Sequence, residues 1–385
     1  MLPPNQRSIN IPGRILDAWR TAILGMAKLP RGTPRSEFTP DDLLNKIQKQ
    51  ETKTVIELWE TFTQERANLS RGLLGTARQT VAYLLGFHLV NAARAMLLLR
   101  RLDERHALTA WVKRLAASPH PIVWHDLGCG TGAIAQVVSD YLIHSGLPLG
   151  RLELHLYDGV GTLLDAATAV LSASGLAPKT HRVGLESLDP ARLVASTDPR
   201  VRGFSLGYVW NELEKNPLAR QRLKGIFAAQ VAAKTMLLVL EPATQAQSRA
   251  AMELRDELVA FGYVPLYPCS SAAPCPMLNL SRDWCFSEGE WQQPKPMQIL
   301  DKALGIDRTR LNGTLLAFAS PTLAADLALK DAANSEAVIV GRPERLGKKG
   351  AVDYLLCQAG ELRKSPLAPG APAQARGTTL AGPKV

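Results

Sequence analysis

A chain of 385 residues with 46% hydrophobic and 21% charged residues has the make-up of a globular protein, long enough for two domains or one large domain with an extension. Five cysteines in that length exclude a disulfide scaffold, and the apolar run from Ala82 to Leu99 is broken by His88, Asn91 and Arg94, which argues against a membrane span. The formal net charge of +10 favours an anionic partner such as RNA.

Residues 1–38 carry prolines and arginines with Asp17 and Glu37 as the only acids, and read as a basic N-terminal arm. Thr39-Pro-Asp-Asp then opens a helix, with Thr39 as N-cap and acids in the first turn. Val55, Leu58, Trp59 and Phe62 recur at helical spacing, as do apolar residues from Thr80 to Leu102 and from Ala107 to Leu115. They make 39–117 a helical N-terminal region. Arg71, Arg78, Arg94, Arg100 and Arg101 stud it, either as ion-paired helix faces or as a surface for phosphate.

After Ser118-Pro-His-Pro121 the pattern changes to an α/β core over 118–264. Ile122 to Asp126 reads as a buried strand, and Gly128, Gly130 and Gly132 form a turn without side chains. The helix Ala133 to His144 then aims its free N–H groups at that turn. A second strand over 152–158 ends in Asp158. A helix (Leu163 to Ser174) and a weak strand near Thr180 to Val183 follow. Strands at Arg202 to Trp210 and Lys234 to Leu240 end in Asn211-Glu212 and in Glu241. The alternation predicts a mostly parallel sheet, and Asp126, Asp158, Asn211 and Glu241 all fall at carboxyl ends of strands, where such sheets bind ligands. Asn211 and Glu212 either hold a substrate edge and accept a proton, or cap the next helix.

Cys269, Cys275 and Cys285 lie close together in sequence, two of them beside prolines, and Cys357 follows later. Thiolates so gathered bind zinc or an iron–sulfur cluster, and the missing C-x-x-C pairs disfavour zinc. Inert core thiols are the competing reading. Cys129 is a small filler in the glycine turn. Past Val340 the chain is basic (Arg342, Arg345, Lys348, Lys349, Arg363 and Lys364), and 361–385 reads as a basic disordered tail that lies on RNA.

The phrase Asp-Leu-Gly-Cys-Gly-Thr-Gly at 126–132 resembles motif I of S-adenosylmethionine (SAM)-dependent methyltransferases. In that family the first Asp and the glycines hold the amino-acid end of the cofactor, and the acid of the second strand holds the ribose. The resemblance therefore implies Asp126, Gly128, Gly130, Gly132 and Asp158 as cofactor-binding residues. More widely, the chain resembles the Rsm-type methyltransferase-like assembly factors of the small ribosomal subunit, found in bacteria and mitochondria. That likeness rests on motif I, Gly-Tyr-Val-Trp-Asn-Glu-Leu at 207–213 and Leu-Glu-Pro-Ala-Thr at 240–244. It also rests on Pro-Cys-Pro at 274–276, Asp-Trp-Cys-Phe at 283–286, and Gly-Arg-Pro-Glu-Arg at 341–345 leading to Cys357.

The resemblance implies a class I (Rossmann-like) SAM-dependent methyltransferase fold with a helical N-terminal region and a cysteine-ligated metal-binding segment over 265–360. It implies that Cys269, Cys275, Cys285 and Cys357 hold a 4Fe–4S cluster, with zinc as the alternative. The implied partner is the small ribosomal subunit and its rRNA, with no role for DNA or membrane, in the bacterial cytoplasm or alternatively the mitochondrial matrix. Two departures are local: Cys129-Gly130-Thr131 replaces the frequent Ser-Gly-Pro, and Trp284-Cys285-Phe286-Ser287 lacks the histidine common after the cysteine. The fourth strand of the core carries neither an Asn/Asp-Pro-Pro-Tyr motif nor a cysteine nucleophile. Two functions follow: an rRNA methyltransferase using Asn211 and Glu212, or a catalytically inactive assembly factor built on the same fold.

Overall fold

The computed structural model describes residues 8–63, 74–189, 193, 200–269, 271–327, 336–341, 344–346, 351–366 and 374–381. The segment expected as a basic arm is built into the fold from Ser8 onward. Ser8–Asn10 forms β1, and Gly13–Met26 forms α1, which buries Ile15, Ala18, Trp19, Ala22 and Ile23 along one face. That helical spacing was masked by the surrounding prolines and arginines. Trp19 Nε1 donates to the Leu84 carbonyl at 2.8 Å, and Arg14 Nη2 meets Asp140 Oδ2 at 2.7 Å.

The helix α2 (Pro40–Thr63) starts where Asp42 N donates to Thr39 Oγ1 at 3.2 Å while Asp42 Oδ2 accepts from Thr39 N, a reciprocal cap. A second capping box, Thr76 with Gln79, opens α3 (Ala77–Tyr83). A π-helical turn (Leu84–His88) joins it to α4 (Leu89–His106), and α5 (Leu108–Ala116) follows. By length and composition the run Ala77–His106 is apolar enough to cross a membrane, yet its most apolar part is mostly buried inside the protein. Its arginines make internal partners. Arg78 pairs with Glu51, Arg94 bonds Asn91 and Tyr208, and Arg100 and Arg101 pair with Glu104. Of the two readings of these residues, ion-paired helix faces describe Arg78, Arg100 and Arg101, whereas Arg94 bonds neutral partners; Arg71 lies outside the described residues.

The core follows as β2 (Ile122–Leu127), α6 (Ala133–His144), β3 (Leu152–Asp158), α7 (Gly161–Ala173), β4 (Lys179–Arg182), β5 (Val201–Gly207), α8 (Pro217–Gln230), β6 (Thr235–Glu241), α9 (Gln245–Ala260) and β7 (Val264–Tyr267). Then come β8 (Ser287–Gln292), α10 (Lys295–Leu304), β9 (Arg310–Ala319) and α11 (Pro321–Asp326). The strands form one sheet in the order β1-β8-β9-β6-β5-β2-β3-β4, with β7 also paired to β9. From β4 to β6 all neighbours are parallel, and β9 runs antiparallel to both β6 and β7. β2 is buried at every position, because helices cover both faces of a parallel sheet. The chain winds outward from β2 to β4 and then returns to build β5 and β6 on the other side. That reversal opens a crevice at the carboxyl ends of β2 and β5.

The strand expected over Arg202 to Trp210 stops at Gly207. Tyr208 adopts φ +64°, a left-handed conformation that turns the chain out of the sheet. Within β5, Gly203 lets the Trp124 ring lie against the backbone: a Cβ there would sit 1.9 Å from Trp124 Cε3. Trp124 Nε1 in turn donates to Ser205 Oγ at 3.0 Å, and Ser205 Oγ to Asp126 Oδ1 at 2.6 Å. Gly203→Ala is therefore expected to destabilise by about 3 kcal/mol, the upper end of the usual overpacking penalty. Urea unfolding of the full chain reads it directly, and a change below about 0.5 kcal/mol would contradict the packing described.

A second, antiparallel sheet holds β10 (Glu336–Ile339), β11 (Glu344–Leu346), β12 (Ala351–Gln358), β13 (Glu361–Pro366) and β14 (Thr379–Ala381). Within the expected tail, residues 361–366 and 379–381 form β13 and β14. The missed signal is Ala359-Gly360. Both residues have positive φ (51° and 84°) between the paired Gln358 and Glu361, as in a two-residue type I′ hairpin. Arg342, Lys348 and Lys349 lie outside the described residues.

Candidate functional site

The crevice at the strand ends encloses about 280 Å³, near the lower end of the roughly 300–1,000 Å³ common for ligand clefts. Gly128, Gly130, Asp158 and Glu212 line it, together with Tyr208, Val209, Phe62 and Tyr83. Asp158 accepts hydrogen bonds from Gly130 N and Val160 N, both at 2.9 Å, so the acid ending β3 is tied to the glycine turn after β2. Burial raises the Asp158 pKa, and the backbone N–H donors oppose that rise. All three glycines of the turn have positive φ, 69° at Gly128, 53° at Gly130 and 77° at Gly132.

Their roles differ. A Cβ at Gly128 would collide with Val209 Cγ2 at 2.5 Å, and one at Gly132 would press on Ala167 Cβ at 3.0 Å. At Gly130 it would meet nothing within 4 Å. Gly132 is thus the helix-packing glycine at the start of α6, and Gly130 is the one facing open space. Asp126 is 1% exposed, lies behind the turn and is absent from the crevice lining. Its pKa is pushed up to about 7 by burial, against the Ser205 hydrogen bond. It anchors β2 to β5 beneath the site.

Asn211 and Glu212 separate in the structure. Glu212 is exposed at the crevice, whereas Asn211 gives its side-chain amide to Glu241 Oε2 and makes no capping bond to the 3-10 turn Glu212–Lys215 that follows. Glu241, wholly buried, also accepts from Trp210 N at 2.8 Å. Burial lifts its pKa to about 8, the Asn211 bond opposing. Glu241 therefore fixes the loop that presents Tyr208, Val209 and Glu212. Arg94 Nη1 donates to Tyr208 OH at 3.2 Å from the other side.

Tyr208 belongs to the 207–213 motif, but its place in the crevice comes from the left-handed turn after β5. Sequence patterns gave no warning of Phe62 or Tyr83 at this place, because a lone aromatic in a helix carries no mark of the crevice it lines.

Nor did they single out His88, which interrupts the apolar run. It is fully buried, with Nδ1 3.0 Å from Thr131 Oγ1 and Nε2 3.0 Å from Gln136 Oε1. The π-helical turn thereby grips the glycine turn. Burial depresses the His88 pKa from 6.5 to about 4, while its hydrogen bonds to Gln136 and Thr131 oppose the shift. Below pH 6.5 the unfolded chain takes up this proton and the folded one does not, so the stability due to His88 is complete above pH 6.5 and falls as pH drops toward 4. Between pH 7.5 and pH 5 the loss from this residue is about 2 kcal/mol. His88→Gln should lose about that much less than wild type over the same interval in urea titrations. An equal loss in both proteins would rule the assignment out.

The four cysteines of the sequence reading converge on a second place. Cys269, Cys275, Cys285 and Cys357 all line one cavity of about 30 Å³, with Arg255, Met277, Val338 and Val340. Cys357 arrives on β12, paired with Val338 and Leu362, so the second sheet closes the cavity over the loop that follows β7. Among the described residues no group of three or more His, Cys, Asp or Glu side chains is arranged to hold a metal ion. Burial pushes the thiol of Cys275 up to about 11 and that of Cys357 to about 12, and raises Cys285 well above its ordinary value; neighbouring thiols add to each. Left alone these groups are neutral; as ligands they need positive charge beside them. Cys129 stays in the glycine turn, its Sγ 3.6 Å from the Gly130 carbonyl, and does not reach the cavity.

A parallel sheet with one reversed strand, β9, lodged between β6 and β7, a glycine turn after β2 and an acid ending β3 define a class I SAM-dependent methyltransferase fold. Residues 169–292 match the family described as mitochondrial small ribosomal subunit Rsm22, which bears out the Rsm-type likeness over that stretch. The matched part contains the 207–213 and 240–244 motifs and three of the four cysteines. No curated protein matches the sequence. Solved structures with a similar fold include a proposed RNA methyltransferase from Pyrococcus horikoshii, with 11% identity, 57% of this chain and 83% of that one covered, and TM-score 0.31. A proposed class I SAM-dependent methyltransferase from Listeria monocytogenes has 12% identity, with 80% and 88% covered and TM-score 0.35. The plantazolicin methyltransferase in complex with SAH has 11% identity, with 72% and 98% covered and TM-score 0.29.

Proposed function

We propose that this protein binds SAM in the crevice between β2 and β5 and acts on the small ribosomal subunit in the mitochondrial matrix, with a 4Fe–4S cluster held by Cys269, Cys275, Cys285 and Cys357. The observation that carries the cofactor reading is the closure of Asp158 onto Gly130 in a crevice at the sheet's switch point. Gly128 and Gly130 leave the backbone open to the amino-acid end of the cofactor, and Asp158 offers acceptors to its ribose. Asp126 and Gly132 support the turn from beneath. Bound there, SAM supplies an electrophilic methyl group. Glu212, exposed at the crevice mouth, is the side chain placed to orient a nucleophile or accept its proton. The ribosomal partner rests on the family match over 169–292, which also favours the mitochondrial location over the bacterial cytoplasm.

A specific observation favours the second reading, an assembly factor without catalysis. Asn211, the other candidate for chemistry, has its amide committed to Glu241 and does not line the crevice. The two readings part in one experiment. Full-length protein is incubated with small subunits and SAM carrying a labelled methyl, and the label is followed into rRNA alongside co-sedimentation. Labelled rRNA that disappears with Glu212→Ala establishes the enzyme; co-sedimentation without label establishes the assembly factor. Absence of co-sedimentation overturns both.

Binding to small-subunit RNA should also depend on salt. Each phosphate contact contributes roughly −0.7 to −0.9 to the log–log salt slope. The net charge of +10 leads us to expect a slope equivalent to several contacts, made shallower by charge reversal at Lys348 and Lys349. A salt-independent affinity would contradict RNA contact by the basic C-terminal segment.

A further inference from the structure

The cysteine cavity contains one charged side chain that the thiol ligand set does not account for. Arg255, on α9, is 3% exposed and lines the cavity beside Cys269, Cys275, Cys285 and Cys357. Its guanidinium reaches into the cysteine loop rather than out to solvent. Nη1 donates to the Ala273 carbonyl at 2.6 Å and Nη2 to the Ser271 carbonyl. The adjacent Asp256 accepts from Cys275 N at 3.0 Å while pairing with Arg255 itself. The two residues thus bracket the loop, with the carboxylate holding the amide of one cysteine and the guanidinium holding the carbonyls before it. Arg255 Nε is left buried, with no hydrogen-bond acceptor among the described residues.

Asp256 pairs with Arg255, yet the buried Nε still lacks an acceptor, which is costly in the interior. Among the described residues that line the cavity, the four thiols are the only groups that can become anionic. Four thiolates around an iron–sulfur core carry net negative charge, and an apolar cavity wall offers nothing else to offset it. A guanidinium, always protonated and more weakly hydrated than an ammonium, is the side chain suited to that place.

We propose that Arg255 is the internal counter-cation of the thiolate site: a positioning residue that, with Asp256, shapes the Cys269–Cys275 loop and holds positive charge against the cluster. The proposal rests on the cluster reading given above. It makes a claim that loop shaping alone does not. Positive charge beside a redox centre favours its reduced, more negative state, so removing the charge lowers the reduction potential.

The test uses the full chain, purified and reconstituted without oxygen, as wild type, Arg255→Lys and Arg255→Gln. Iron and sulfide content, the visible spectrum and the one-electron midpoint potential are measured on each. We expect Arg255→Gln to shift the reduction equilibrium at least about tenfold toward the oxidised form, about 59 mV. Arg255→Lys, which keeps the charge but cannot hold both carbonyls, should stay within about threefold of wild type. If Arg255→Gln is too poorly loaded for a potential to be read, retention of iron by Arg255→Lys supports the charge role.

Equal loss of iron from both variants, or loaded variants with the potential of wild type, would reduce Arg255 to a loop brace and overturn the proposal. Wild-type protein without iron and sulfide would instead remove the cluster reading, and this proposal with it.

Discussion

Gly130→Arg is expected to abolish SAM binding while leaving the fold in place. Among the three glycines of the turn it is the position where the two effects can be separated. An added Cβ at Gly128 or Gly132 strikes Val209 or Ala167, so substitution there damages packing first. At Gly130 the same Cβ meets nothing within 4 Å, and the side chain extends from a turn that lines the crevice. The remaining cost is the left-handed backbone, φ +53°, which strains a non-glycine residue by roughly 1–2 kcal/mol. That is within the stability of an ordinary domain.

Asp158→Asn makes the complementary change. It keeps one acceptor for Gly130 N or Val160 N but removes the charge offered to the ribose, a loss of roughly 10- to 150-fold in affinity for a charge-assisted hydrogen bond. Calorimetry of the three proteins, with thermal melts as the fold control, reads both. A folded wild type that gives no heat at millimolar SAM binds more weakly than about 4 kcal/mol and contradicts the crevice assignment.

How much of this was legible in the residues depends on how local the signal is. Helix α6 begins and ends where the glycine turn and apolar run placed it, and β3 ends on Asp158 as expected, because turns and strand periodicity are written in consecutive residues. Helix α1 was hidden because an arm rich in Arg and Pro was judged by composition, while Ile15, Trp19 and Ile23 spoke only through spacing. β13 and β14 were hidden for a different reason. A strand of Glu361-Leu-Arg-Lys-Ser-Pro has one apolar residue, and its place is fixed by backbone pairing with β12 and by the Ala359-Gly360 turn.

The site shows the same division. Gly128, Gly130 and Asp158 belong to a contiguous motif or end a strand. His88, Tyr208 and Glu241 act through partners far away in sequence, and only the fold brings His88 to Thr131 or Glu241 to Trp210. Asn211 reads from the sequence as a substrate contact or a cap of the next helix, and its amide instead bonds a buried carboxylate that no spacing rule points to.

The largest effect should come from the cysteines, because a group bonded to all four would tie the second sheet to the central one, adding to the Arg105–Glu336 ion pair and the Tyr267–Gly377 and Glu288–Arg376 hydrogen bonds. Cys269 follows β7 at the edge of the central sheet, and Cys275 and Cys285 sit in the loop leading to β8. Cys357 belongs to β12 of the second sheet. The second sheet rests on this region through a small apolar cluster, with Val338 and Val340 against Met252, Cys275 and Met277. A metal group bonded from both sides forms only in the folded state, so its binding energy adds to folding. For structural zinc in small domains that term is about 10–16 kcal/mol, far more than so small an apolar cluster supplies. Anaerobically purified wild type should therefore contain iron and acid-labile sulfide in equal amounts. Each of Cys269→Ser, Cys275→Ser, Cys285→Ser and Cys357→Ser should lose them and expose residues 336–381 to limited proteolysis. Cys129→Ser, altered in the glycine turn away from the cavity, should keep both. Zinc without sulfide would replace the cluster by a mononuclear site, and full iron in Cys357→Ser would remove the link between the sheets. A metal-free wild type that resists protease as well as the loaded protein would make the four thiols core residues, held together by packing alone.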